Sequence, residues 1–204
     1  MPASYHHGDL RRALLDEAGS VLESAGIGAL SLRDLARRVG VSATAPYHHF
    51  KNKADLATAL ADDAMADLDT ALADAARRAQ SSGGHPGDRL TAIGVAYVLF
   101  AVDHPERFRL AFRPEMSAPF EGLALGDGLP EDLVGFRQLV AVVQDLVPDP
   151  KRQRVAAVGA WSIAHGLAAL LVDGPLRPLA TDRDAVRALA MSVLAAPDLP
   201  SMPE

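Results

Sequence analysis

The 204-residue chain contains no cysteine, which excludes disulfides, thiolate nucleophiles and thiolate metal sites. Val, Ile and Thr are few, 24 residues against 66 Leu and Ala, a balance that favours helix over sheet. No alternating apolar pattern of strand length appears. Aromatics are scarce, with six Phe, three Tyr and one Trp. No glycine-rich loop follows a strand, and no serine sits in a G-x-S-x-G context, so nothing points to an enzyme. His6-His7 and His48-His49 are adjacent pairs, and neighbours on a helix point about 100° apart, so neither pair chelates easily. No His/Asp/Glu cluster has metal-ligand spacing, and neither a metal nor a cofactor is expected. No apolar segment opens the chain, so the expected location is the cytoplasm.

Charge is unevenly spread. The net charge of −6 argues against wholesale coating of nucleic acid. Residues 1–53 nevertheless carry seven Lys/Arg against five Asp/Glu, a net of +2, together with four of the seven histidines. Residues 54–204 therefore carry −8. A weakly basic head on an acidic body suggests that only the head meets a polyanion. Residues 155–172 form a charge-free run of 18, near the lower length for a membrane span. The run holds Gly159, Ser162, His165 and Gly166. A helix apolar all round also fits burial in protein, and burial is the expected reading.

Apolar spacing predicts helix after helix, about nine in all, and an all-α fold. Leu10, Leu14, Ala18, Val21, Leu22 and Ala25 recur at three and four, giving a first helix over residues 9–25 that Gly26 and Gly28 end. Ser31 caps a second helix with Asp34 three residues on, and Gly40 stops it. Ser42 is expected to cap a short third helix running to about residue 50. Asn52 caps a long fourth one carrying Leu56, Leu60, Leu68 and Leu72. The Ser- and Gly-rich stretch 81–87 is a loop. Further helices are expected over residues 88–103, 105–112 and 133–147, then over the charge-free run. A last one, capped by Thr181 with Asp184, runs to about residue 194. Residues 113–130, rich in Gly and Pro, carry no clear pattern.

Residues 31–53 read S-L-R-D-L-A-R-R-V-G-V-S-A-T-A-P-Y-H-H-F-K-N-K. Two short helices flank a glycine turn, with Ala36 small where they cross. This is a helix-turn-helix arrangement, whose second helix can enter a major groove about 12 Å wide. Thr44, Tyr47 and His48 offer hydrogen-bonding groups, and Arg33, Arg37, Arg38, Lys51 and Lys53 offer positive charge. A plain helical hairpin with a solvated basic face fits the same spacing. Pro46 sits awkwardly, because it removes a donor and disfavours helical geometry at Ala45.

Over residues 5–68 the chain resembles the DNA-binding domain of tetracycline-repressor-like (TetR) regulators. The segments that carry the likeness are Y-H-H-G-D-L-R at 5–11, A-G-x-x-A-L-S-L-R-D-L-A at 25–36, V-G-V-S at 39–42, A-P-Y-H-H-F at 45–50 and K-N-K at 51–53. Trp161, His165 and Gly166 resemble the Trp-x-x-x-His-Gly signature of one subclass of regulator C-terminal domains. The resemblance implies an all-α homodimer that represses transcription and releases DNA on binding a small ligand. It implies a DNA-binding domain at 1–53 and a ligand-binding and dimerisation domain at 54–204. It places Arg33 near a base edge or phosphate, Ser42, Ala43, Thr44, Ala45, Tyr47 and His48 on the DNA face, and His49 and Lys53 at phosphates. Ala43 and Ala45 have no hydrogen-bonding side chain, so they can offer only apolar contact to a thymine methyl.

In the body, Phe100, Phe108, Phe112, Met116 and Trp161, with His165 as a polar anchor, are candidates for a pocket that takes an apolar small-molecule effector. Core packing explains the same spacing. Ala157, Ala160, Ala164 and Ala168, with Val186, Leu189 and Val193, are candidates for a homodimer interface of four helices around a twofold axis. The expected partners are a double-stranded DNA operator, an effector and a second copy, without a membrane. A DNA-binding dimer without effector sensing, or an all-α enzyme with a pocket in its bundle, stays open as an alternative.

Overall fold

A computed structural model describes residues 7–83, 85–113 and 136–195, with side chains from Leu10 onward. Among the described residues there are eight α-helices and no strand. They are α1 (His7–Ala25), α2 (Leu32–Val39), α3 (Lys53–Ser81), α4 (Pro86–Asp103), α5 (Pro105–Ala111), α6 (Arg137–Leu146), α7 (Pro150–Val172) and α8 (Arg183–Leu194).

The start and stop signals act mostly as their chemistry predicts. Ser31 caps α2, its Oγ accepting from the Asp34 amide at 3.4 Å. Gly40 ends α2 with φ 78°, in the left-handed region that a Cβ disfavours. Asn52 Oδ1 accepts from the Asp55 amide at 2.9 Å and opens α3. Asp149 opens α7 in the same way, accepting from the Lys151 amide at 3.0 Å.

Two expectations are corrected. The third helix is not an α-helix over 42–50 but a turn followed by a 3-10 helix, Ala45–His48. Ser42 does not cap it. The Ser42 hydroxyl lies 3.2 Å from Thr44 Oγ1, and it is the Ser42 carbonyl that accepts from the Ala45 amide at 3.0 Å. Pro46 is the physical cause, since it has no N–H to reach the Ser42 carbonyl and disfavours α geometry before it. Its ring is buried, and its carbonyl accepts from the amides of His49 and Phe50, both at 2.9 Å. The proline thus places an apolar ring inside at a position whose missing donor is not needed. The second correction concerns α8. Asp182, not Thr181, is its cap, accepting from the amides of Asp184 at 3.1 Å and Ala185 at 3.0 Å. The Thr181 hydroxyl donates instead to the Pro178 carbonyl at 3.2 Å.

The chain falls into two compact units. One lies within residues 1–65 and 104–117, the other within 66–103 and 118–204. The division expected after residue 53 precedes α3, whereas the first unit keeps α3 to Met65 and takes in α5. In the first unit Leu14, Leu22, Leu35, Phe50, Leu56 and Leu110 form the core. Burying each such leucine contributes roughly 1.5–3 kcal/mol. Arg107 Nε stands 3.6 Å from Glu23 Oε1 and ties α5 to α1.

In the second unit α4 packs against α6, α7 and α8. Val98, Leu99, Leu167, Leu171, Val186 and Ala190 fill the space where α4, α7 and α8 meet. Arg183 holds Asp103 through Nε at 3.1 Å and Nη2 at 3.0 Å, joining the start of α8 to the end of α4. Arg89 Nη1 reaches Asp145 Oδ2 at 2.9 Å, joining α4 to α6. Among the described helices α7 alone is long and apolar enough to cross a membrane. One side of it is core: Ala157, Ala164, Leu167, Ala168 and Leu171 are buried.

Candidate nucleic-acid interface and effector pocket

Most of the sequence-predicted DNA-contact residues are exposed in the first unit. Arg33, Ser42, Ala43, Thr44, Tyr47 and His48 are exposed, and Tyr47 keeps 48% of its surface in solvent. A bulky aromatic left outside a well-filled core is available for contact with a groove or phosphate. Ala45 and His49 are only half-buried, because the 3-10 turn rotates them toward the protein. The remaining cations are partly engaged. Lys53 is exposed but its Nζ donates to the Gly28 carbonyl at 3.0 Å. Arg37 pairs with Asp34 at 3.0 Å and Arg38 with Glu17 at 3.1 Å. Arg11 lies over the Phe50 ring, 5.4 Å from its centroid. Exposed pairs of this kind are weak and can exchange a carboxylate for a phosphate.

The second unit holds a cavity of about 460 Å³ between α4, α6, α7 and the end of α8. That volume falls in the ordinary range for small-molecule sites, about 300–1,000 Å³. Leu90, Ile93, Phe136, Leu139 and Trp161 supply much of the apolar wall, and Leu72 reaches it from α3. Trp161 stacks edge-on against Phe136 with ring centroids 4.8 Å apart. Gly94 lines the cavity too, where a Cβ would come within 2.9 Å of Leu194 Cδ1. Asp88 is the only charged side chain among the described lining residues.

A polar group faces the cavity that sequence reasoning missed. Trp161 Nε1 donates to the Tyr97 hydroxyl at 3.3 Å, and Tyr97 Oη lies 2.7 Å from His165 Nδ1. Both hydrogens find acceptors if Tyr97 donates to His165 Nδ1, with the imidazole neutral and its proton on Nε2. Burial pushes the Tyr97 hydroxyl up, with the Trp161 hydrogen bond working against it, and burial pushes His165 down. Both groups are therefore uncharged at neutral pH. The signal available in the sequence was a lone tyrosine within the apolar stretch of α4.

The predicted pocket residues separate. Trp161 lines the cavity, and His165 joins it through Tyr97. Phe100 is buried and is not among the lining residues. Phe108 and Phe112 belong to the first unit, where they pack on each other with centroids 5.1 Å apart. Met116 lies outside the described residues. Apolar spacing reports burial, and it cannot say which of two cores receives a side chain.

Most of the dimer candidates lie inside their own protomer. Ala157, Ala164, Ala168 and Val186 are buried within their own protomer. Ala160 and Ala164 line the cavity, and Leu189 packs against the core. The small residues of α7 serve its close packing inside the unit. Its opposite side carries Val155, Val158, Ile163 and Leu170 in the open, and Met191 and Val193 of α8 are exposed too. Of the seven candidates only Val193 reaches that surface.

The family described as "Bacterial regulatory proteins, tetR family" matches residues 14–60. "Tetracyclin repressor-like, C-terminal domain" matches residues 90–194. Among curated proteins none matches this chain. Among solved structures, a protein of unknown function from Rhodococcus sp. RHA1 is similar at 32% identity and TM-score 0.69, covering 95% of this chain and 97% of that one. A bacterial regulatory protein of the tetR family from Rhodococcus RHA1 is similar at 19% identity and TM-score 0.56, covering 94% and 98%. A TetR variant from Acinetobacter baumannii AYE in complex with minocycline is similar at 17% identity and TM-score 0.59, covering 94% and 96%. With both parts of the chain accounted for, one by the exposed helix-turn-helix surface and the other by the helical unit that holds the cavity, the chain belongs to the tetracycline-repressor family of DNA-binding transcriptional regulators.

Proposed function

We propose that the chain is a repressor that binds a palindromic operator as a homodimer and leaves it when a small, mostly apolar molecule fills the cavity of the second unit. The observation that carries this reading is the cavity itself, roomy, largely apolar in its walls and equipped with one partly buried polar relay. Such a lining favours an uncharged ligand with an aromatic or aliphatic body and a single hydrogen-bonding group. The minocycline complex of a distant relative supports ligand response as the use of such a unit. The proposed DNA contacts are Arg33, Thr44, Tyr47 and His48, with Ala43 against a thymine methyl and His49 and Lys53 at phosphates.

A single helix-turn-helix reads few base pairs, so two copies are needed with recognition segments about 34–36 Å apart. The exposed apolar side of α7 with α8 supplies the twofold contact. The effector acts through α3, which contributes residues to both units, by changing the spacing of the paired heads. It can shift that equilibrium only by its differential affinity for the two states, and a hundredfold preference is about 2.7 kcal/mol. The test is a gel shift against the chain's own upstream region, with compounds first selected by thermal shift. A ligand at about 100 times its Kd adds roughly 2.7 kcal/mol of stability. A compound that raises the melting temperature yet leaves the operator complex unchanged sinks the sensing role, and failure to shift any upstream fragment sinks the regulator.

A further inference from the structure

Among the described lining residues of the cavity four side chains are polar: Asp88, Thr91, Tyr97 and Trp161. Three of them carry a polar hydrogen, and each of those hydrogens has an acceptor within the protein. Thr91 Oγ1 donates to the Gly87 carbonyl at 3.1 Å. Trp161 Nε1 donates to the Tyr97 hydroxyl at 3.3 Å. Tyr97 Oη lies 2.7 Å from His165 Nδ1 and donates to it when the neutral imidazole carries its proton on Nε2. Asp88 is a carboxylate and can only accept, and its Oδ2 takes the His85 amide at 2.7 Å. The backbone repeats the pattern. At the start of α4 the Gly87 amide donates to His85 Nδ1 at 3.1 Å, and the Asp88 amide donates to the His85 carbonyl at 2.8 Å. α8 reaches the cavity with Val193 and Leu194, in its last turn, where carbonyls rather than amides lack intrahelical partners.

We propose that the cavity wall presents hydrogen-bond acceptors and no donor, so that the polar group of the effector is an O–H or N–H and not a carboxylate, ester or ether. This rests on the reading of the cavity as the effector site and adds the polarity that the site selects. A hydroxyl has one hydrogen and two lone pairs. With their hydrogens engaged inside the protein, Thr91 and Tyr97 can receive a hydrogen bond from a ligand but cannot give one. A ligand oxygen without a hydrogen gives up its water on entry and meets only lone pairs, and a buried acceptor left unmatched weakens binding roughly 10- to 100-fold. An anion meets the Asp88 carboxylate as well, at the exposed end of the cavity. A ligand that brings its own hydrogen meets an acceptor at Thr91, half-buried, or at Tyr97, buried.

The probes are 2-naphthol, 2-methoxynaphthalene and 2-naphthoate, which share one apolar body and carry a donor, a bare acceptor and an anion. The experiment is equilibrium dialysis of each against the full chain at neutral pH. The expected result is naphthol bound roughly 10- to 100-fold more tightly than methoxynaphthalene, with naphthoate the weakest. Tyr97→Phe removes an acceptor and leaves the Trp161 N–H without its partner, so the preference for naphthol over methoxynaphthalene should shrink or reverse. Asp88→Asn keeps an oxygen for the His85 amide, removes the charge and adds a donor, so naphthoate should gain several-fold while naphthol changes little. If methoxynaphthalene or naphthoate binds the wild type as tightly as naphthol, the wall offers a donor and the proposal is overturned, while the cavity stands as the effector site. An unchanged preference in Tyr97→Phe overturns it too, since the donor is then read elsewhere. If none of the three probes binds, the reading of the cavity as an effector site fails and carries the proposal with it. Should Tyr97→Phe fail to fold by circular dichroism, the wild type and Asp88→Asn decide.

Discussion

Tyr47 and Lys53 are both exposed, yet their settings differ, and so do their expected losses. Tyr47 touches the core little, so Tyr47→Ala should leave the fold intact and weaken operator binding by about 1–3 kcal/mol, the worth of one good groove contact. Lys53→Ala should weaken binding to specific and nonspecific DNA alike and lower the salt slope by about one unit, the mark of one lost phosphate contact. Filter binding across a salt series separates the two, and unchanged affinity and slope in both variants would falsify the assignment. His165 makes a different claim. Burial depresses its folded pKa below the unfolded value, so the unfolded chain binds more protons in that window. The contribution is fully present above the unfolded value, about 6.5, and is lost as pH falls below it toward the folded one. Melting temperature should drop between pH 7.5 and pH 5.5, and His165→Gln should show a smaller drop. Equal slopes in the two proteins would remove His165 from the account. At this scale the exposure of the proposed DNA contacts was legible because polar and charged chemistry resides in short local sequence. Tyr97 was not, since its partners come from another helix 64 and 68 residues away.

Elements were legible wherever a cap or a glycine marked them. Ser31, Gly40 and Asn52 act where the pattern put them, and they hold the helix-turn-helix in register. Gly40→Ala tests this most cleanly, because an added Cβ would meet no atom within 4 Å. Only the left-handed backbone resists it, so the substitution should cost about 1–2 kcal/mol, measured by urea unfolding. A neutral effect would mean that the turn relaxes. The 3-10 segment Ala45–His48 escaped the pattern because apolar spacing scores α geometry, whereas Pro46 decides the local hydrogen bonding. Asp182 displaced Thr181 as the cap of α8 for a related reason. Two oxygen-bearing side chains stood side by side, and backbone geometry chose between them.

On the scale of the whole molecule, an all-α chain with a basic head and an acidic body could be read from composition and charge alone. The two-core division could not. The chain returns to the first unit at α5, and nothing in the apolar spacing of Phe108 or Phe112 announces that return. The burial of the small residues of α7 within the protomer was not legible for the same reason. Close approach is a property of a pair of helices, and sequence names only one of the pair. The corrected surface makes its own prediction. Leu170→Glu should abolish specific operator binding while keeping weak, salt-sensitive association with any DNA, because one head survives without its twin. Retention of wild-type specificity in a sedimenting monomer would count decisively against the dimer.

Gly94 helps set the outline of the cavity. A single methyl group there would press on Leu194 at the last turn of α8, and Leu194, Val193 and Ala195 all line the cavity. At Gly94 the smallest possible mutation would redraw the outline of the wall, and the neighbour that must yield is a flexible side chain rather than backbone. A designer who wished to retune the chain into a reporter for another compound would begin at residue 94 for the same reason.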